Sequence, residues 1–328
     1  LGLGDDHVDV GTGRDEAHGG EGIDGLAADY SGDAAAILWD LQADSYSGSG
    51  RVFTGFEYLS NLRTGAGDDV IVTTIADRTD VLALGAGDDR ATLVAGHDRV
   101  DGDVGDDTMV LDGSHVGNRV YMGSGPGENG ALGGFDGAFY RSSVGWYATF
   151  TSIEHFEIST GSGDDTLVTA AGDDIVRGNA GHDDIYVQTG NDRADGGADV
   201  DRISADYGGD ATAIIWNLQT DSYSGGDREF TGFEQFGTLR TGSGNDRITT
   251  SSATVHEGGN ETLHLGAGND IATSVAGHDA VYGDLSQIGR HPPLHRRRAL
   301  MVELPRLRGR QPAPMRQAAR MRAPVLLW

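Results

Sequence analysis

Residues 160–204, cut every nine residues, read TGSGDDTLV, TAAGDDIVR, GNAGHDDIY, VQTGNDRAD and GGADVDRIS. The sixth place of every nonapeptide is aspartate: Asp165, Asp174, Asp183, Asp192 and Asp201. The eighth is apolar: Leu167, Val176, Ile185, Ala194 and Ile203. The fourth is glycine in four of the five, with Asp199 the exception. A short fixed period decides the architecture, because a unit with one apolar side chain can bury it only by stacking on its neighbours.

The same register returns on both sides. Residues 1–27 place Asp6, Asp15 and Asp24 at the sixth position; residues 84–110 place Asp89, Asp98 and Asp107 there. Residues 265–282 contribute Asp270 and Asp279, and the single units 64–72 and 241–249 contribute Asp69 and Asp246. A longer repeat overlies the short one: residues 28–72 match 205–249 at an offset of 177, with 29 of 45 identical. VFTGFE answers to EFTGFE, and FTSIEHFEISTGSGDD at 150–165 is a weaker third copy. This divides the chain into repeat runs at 1–27, 64–110, 160–204 and 241–285, β spacers at 28–63, 111–159 and 205–240, and a tail at 286–328. Within the spacers, residues 36–41 and 213–218 read as short strands, with Trp39 and Trp216 as core residues.

Composition agrees with an all-β chain. Of 328 residues, 53 are Gly and none is Cys; the acids are 40 Asp against 11 Glu, and Asp and Gly are poor helix-interior residues. Without Cys there is no disulfide framework and no thiolate metal site. The formal net charge is -27, and on residues 1–288 alone it is -36, which argues against nucleic acid as a partner of the body. The tail inverts this character. Residues 289–328 hold 10 of the 24 Arg and 6 of the 7 Pro. It reads as disordered or as a frameshifted, non-native end; the other reading is a basic arm for anionic lipid or nucleic acid.

The nonapeptide itself has a simple physical reading. Positions 7 to 9 make a strand of about three residues with one side chain inward, and positions 1 to 6 turn the chain on flexible glycines. Two units then make one turn of a flattened parallel coil, and equivalent loops stack along each edge. Stacking aligns the position-6 carboxylates at the strand spacing of ~4.8 Å, where bare they would repel. A cation between loops removes the repulsion. Asp carboxylates and loop carbonyls form a flexible all-oxygen ligand set, which suits Ca²⁺ better than Mg²⁺. One ion between each unit and the next but one gives about five or more ions. The pairs are Asp6 with Asp24, Asp89 with Asp107, Asp165 with Asp183, Asp174 with Asp192, and Asp183 with Asp201.

The units resemble the RTX family, the hemolysin-type calcium-binding repeat G-G-x-G-x-D-x-U-x; GNAGHDDIY at 178–186 and LGAGNDIAT at 265–273 fit it closely. The resemblance implies a calcium-loaded parallel β-roll, export by type I secretion machinery and an extracellular location. Where units depart from the pattern, at Asp199 and at the small core residues Ala17, Ala91, Ala194 and Ala272, weaker calcium binding or less order is expected.

Other residue patterns carry less. His97, His182 and His278 share position 5 and read as solvent-facing loop residues rather than transition-metal ligands. Arg90, Arg99, Arg193, Arg202 and Arg247 at position 7 read as charge compensation on an outer face. No catalytic motif is found: His256-Glu257 does not continue as H-E-x-x-H, and G-x-S-x-G and the phosphate loop are absent. The expectation is therefore a calcium-binding structural or adhesin-like module of a larger secreted protein, with a cell-surface or glycan partner. The alternative is the calcium-binding part of a secreted hydrolase or toxin whose catalytic domain lies upstream.

Overall fold

The computed structural model describes residues 1–74, 78–124, 135–141, 146–169, 171–251, 260–275, 279–283 and 301–303. Among the described residues every regular element is a β-strand. Many are three residues long with the middle side chain buried, as in Thr166–Val168, Ile175–Arg177, Val70–Val72 and Ile271–Thr273. This is the short inward-pointing strand that positions 7 to 9 predict.

Successive coils pair in parallel at an offset of eighteen: Leu167 lies beside Ile185 and Ile185 beside Ile203 on one wall, Val176 beside Ala194 on the other. One wall is a 14-stranded sheet running from His7–Gly11 to Ala280–Tyr282; the other is built from a 2-stranded, a 9-stranded and a 5-stranded sheet. The chain is thus an all-β parallel β-roll, and its inward residues form one continuous column of buried side chains. Burying a Leu or Ile side chain in this way contributes about 1.5–3 kcal/mol. Ala91, Ala194 and Ala272 occupy the same column and are buried, and their strands keep their pairing on both sides.

The 14-stranded wall runs without a break through the spacers, and the other wall changes sheet at the first and third of them. In the first, Leu38–Asp40 pairs in parallel with Val70–Val72 and folds back on Ser45–Ser47 as a hairpin; Ile215–Asn217 and Ser222–Ser224 repeat this. Trp39 and Trp216 are buried, stacked on Phe53 at 5.0 Å and on Phe230 at 4.6 Å between ring centroids. The middle spacer differs. Val120–Ser124, Phe135–Arg141 and Trp146–Ile153 form an antiparallel meander inserted into the long wall. The tail from 286 lies outside the described residues, except that Met301–Glu303 pairs with Ile271–Thr273.

Candidate metal centre

The position-6 aspartates stand at the end of each turn, and nearly all are buried. All but Asp6 and Asp15 perform the same local task. Oδ1 accepts the backbone N–H of the residue one coil earlier: Asp183 from Asp165 at 2.8 Å, Asp201 from Asp183 at 2.8 Å, Asp107 from Asp89 at 2.9 Å. Asp24 accepts from Asp6 at 2.7 Å, and Asp192 from Asp174 at 3.2 Å. The five aspartate pairs expected from the repeat are therefore all neighbours in space. Where a run begins, the capped amide belongs to an apolar residue instead, as with Asp69 on Ile37, Asp165 on Val120, Asp174 on Phe156 and Asp246 on Ile214.

The second oxygen is what makes the loop unusual. Among the described residues, Oδ2 of Asp15, Asp24, Asp69, Asp89, Asp98, Asp107, Asp165, Asp174, Asp183, Asp201 and Asp246 is buried without a hydrogen-bond partner. A buried polar atom left unsatisfied costs about 1–3 kcal/mol, and more if charged. Burial raises these groups accordingly: Asp98, Asp174 and Asp183 to about 8, and Asp89, Asp107 and Asp201 to about 7. Neighbouring carboxylates push the same way, Asp80 on Asp98 and Asp165 on Asp183. Glycine keeps the space beside these oxygens clear. A Cβ on Gly102 or Gly178, each at position 1, would strike Oδ2 of Asp107 or Asp183. One on Gly105 or Gly181 would strike the carbonyl oxygen of Gly87 or Gly163 one coil back. Orphaned carboxylate oxygens, a glycine cradle and stacked carbonyls fit a hard cation with oxygen ligands. Among the described residues no three His, Asp or Glu side chains converge on one point, so carboxylates alone do not complete a coordination shell.

Four expected site residues differ. Asp6 and Asp15 are only partly buried. The second oxygen of Asp279 accepts the Ser274 hydroxyl, and that of Asp192 accepts the Tyr207 hydroxyl at 2.9 Å. Asp270 accepts the Asp246 amide at 3.0 Å like the others.

Five further acids share the cap position and were missed by a strict period of nine. Glu57, Glu154 and Glu234 cap the amides of Asp24, Asp107 and Asp201 at 2.7, 2.9 and 3.0 Å. They are the glutamates of the F-T-x-[FI]-E segments, where the half-turn between inward residues shrinks to six: Phe53 to Leu59, Phe150 to Phe156, Phe230 to Phe236. Each of these segments ends one acid column and starts the next, since Leu59, Phe156 and Phe236 are capped by Asp80, Asp174 and Glu261. Asp80 and Glu261 carry a signal in the sequence, with Leu82 and Leu263 two residues on, but their units lack most of the glycines.

Position 5 forms a second, outer ladder. Asp68 accepts the Asp88 amide, Asp88 the Asp106 amide, and Asp164 the His182 amide at 2.9 Å. His182 is exposed, as expected, and its Nδ1 accepts the Val200 amide at 3.1 Å. His97 is exposed and His278 lies outside the described residues. Of the position-7 arginines, Arg90 forms a two-pronged pair with Glu157 at 2.9 and 2.6 Å, and Arg202 another with Asp184.

Roll, orphaned carboxylates and glycine cradles together define a calcium-binding β-roll. The family model of the RTX calcium-binding nonapeptide repeat (4 copies) matches residues 76–109, 159–194 and 257–286. The chain therefore carries RTX calcium-binding repeats, and the first and third matched stretches take in Asp80 and Glu261. No curated protein matches the chain.

Proposed function

We propose that the chain is a structural module that binds several calcium ions, is exported unfolded, and folds outside the cell as part of a larger secreted, adhesin-like protein. The observation that carries the reading is the row of buried, partnerless Oδ2 atoms, which a bound divalent cation would satisfy. Asp24, Asp69, Asp89, Asp98, Asp107, Asp165, Asp174, Asp183, Asp201 and Asp246 would hold calcium with loop carbonyls. The role is non-catalytic and consists of calcium-dependent shape. The charge of -27 opposes compaction, and each ion bound only by the folded state adds RT ln(1 + [Ca]/Kd), about 1.4 kcal/mol at ten times Kd. Extracellular calcium modules have Kd values of about 10⁻⁴ to 10⁻³ M, far above cytosolic calcium. The test is the hydrodynamic radius of the full chain in chelator, in millimolar calcium and in millimolar magnesium. Compaction by calcium but not magnesium is expected; a radius already compact in chelator would overturn the reading.

A further inference from the structure

In two coils arginine stands at the cap position in place of an acid. Glu16 pairs with Val52 and Arg193 with Glu229, so Arg51 stands one coil after Asp15, and Arg228 one coil after Asp192. Both arginines are buried, with side chains only 4% and 8% exposed. They make the same contacts. Arg51 Nε donates to the Gly13 carbonyl at 2.6 Å and Nη1 to Asp33 at 2.5 Å, with the guanidinium 3.5 Å from the Tyr30 ring centroid. Arg228 Nε donates to the Gly190 carbonyl at 2.6 Å and Nη1 to Asp210 at 2.5 Å, 3.7 Å from the Tyr207 ring centroid. Gly13 and Gly190 both hold position 4 of the loop.

At Asp192 the substitution is complete. Tyr207 donates its hydroxyl to Oδ2, the oxygen that the other loops leave without a partner, at 2.9 Å. A loop carbonyl and the second carboxylate oxygen are thus both engaged by protein donors, and a fixed positive charge sits in the loop. Beside each arginine lies an aromatic cluster of a size that the short repeats lack. Trp216, Tyr223 and Phe230 pack at 4.6 to 4.9 Å between centroids, and Trp39, Tyr46 and Phe53 at 4.9 to 5.0 Å. Aromatic pairs of this kind add about 0.5–1.5 kcal/mol beyond their area.

We propose that Arg228 and Arg51 are built-in cations that replace calcium in these two coils, making the spacers around them metal-independent folding nuclei on which the calcium-dependent runs assemble. This rests on the calcium reading for the runs only. Lacking the tyrosine bond to Asp15, the first nucleus is the weaker of the two.

The experiment is amide hydrogen exchange on the full chain, with segment resolution, in chelator and in millimolar calcium. In chelator, Arg193–Asp195 and Glu229–Thr231 should stay protected while residues 165–187 exchange freely. Arg228→Met should abolish that protection in chelator, and Arg228→Lys should retain part of it. Loss of protection at Glu229–Thr231 in step with residues 165–187 on chelation of the unmodified chain would overturn the proposal, as would unchanged protection in Arg228→Met. If residues 165–187 were equally protected with and without calcium, the calcium reading would fail, and the arginine variants would still decide the role of the nucleus.

Discussion

Replacing Asp183 by asparagine separates the two jobs of a position-6 carboxylate. The asparagine side chain would keep an oxygen for the Asp165 amide, which Asp183 caps at 2.8 Å, and would remove one charge and one metal ligand. Asp183 is 2% exposed, and burial raises its carboxyl from 3.8 to about 8. At pH 7.5 that rise corresponds to a destabilisation of the folded state of at most roughly 5 kcal/mol. Relaxation reduces this to the cost of an unsatisfied buried group, about 1–3 kcal/mol. In chelator, therefore, Asp183→Asn should raise stability by about 1–3 kcal/mol. In calcium this gain is offset. Asp183 adjoins both Asp165 and Asp201, so two ions lose a ligand. At ten times Kd each ion adds about 1.4 kcal/mol, so the stabilisation by calcium should shrink by about 3 kcal/mol. Urea unfolding of the variant and the parent over a series of calcium concentrations, extrapolated to zero calcium, gives both numbers. Equal destabilisation in the two conditions would refute the reasoning, because it would make Asp183 only an amide cap.

His182→Ala should cost no more than about 1 kcal/mol, the same with and without calcium in that assay, since the exposed ring only accepts the Val200 amide. Gly178→Ala should lower calcium affinity, measured by titration, because its Cβ would strike Oδ2 of Asp183; an unchanged affinity would place the ion elsewhere. Stability in chelator should fall as pH rises. The folded-state values of Asp98, Asp174 and Asp183 lie near 8 against 3.8, so the folded chain holds more protons; this contribution is complete below about 3.8 and lost on passing 8. Urea stabilities extrapolated to zero calcium that increase from pH 6 to pH 8 would contradict the assignment. Calcium displaces those protons, so its affinity, measured by titration, should be weaker at pH 6 than at pH 8.

The wall of the roll is legible in the sequence because positions 6 and 8 repeat at a period that sets both the strand and the stacking. Asp165, Asp183 and Asp201 fall into register on this basis alone. What is hidden has a physical cause in each case. Glu57, Glu154 and Glu234 lie within half-turns shortened to six residues, so a fixed period of nine steps over them. Arg51 and Arg228 occupy the acid's place with the opposite charge, which a search for aspartate reads as an interruption. The position-5 side chains look like free loop residues, yet Asp164 and His182 each accept an amide from the next coil.

Locating the ions tests the account most directly. A crystal of the full chain grown in calcium, measured for anomalous scattering, should show ions beside Oδ2 of Asp165, Asp183 and Asp201, and none between Asp192 and Arg228. Ions confined to the exposed position-5 ladder, or Oδ2 atoms of the buried aspartates that remain without a ligand in saturating calcium, would contradict it.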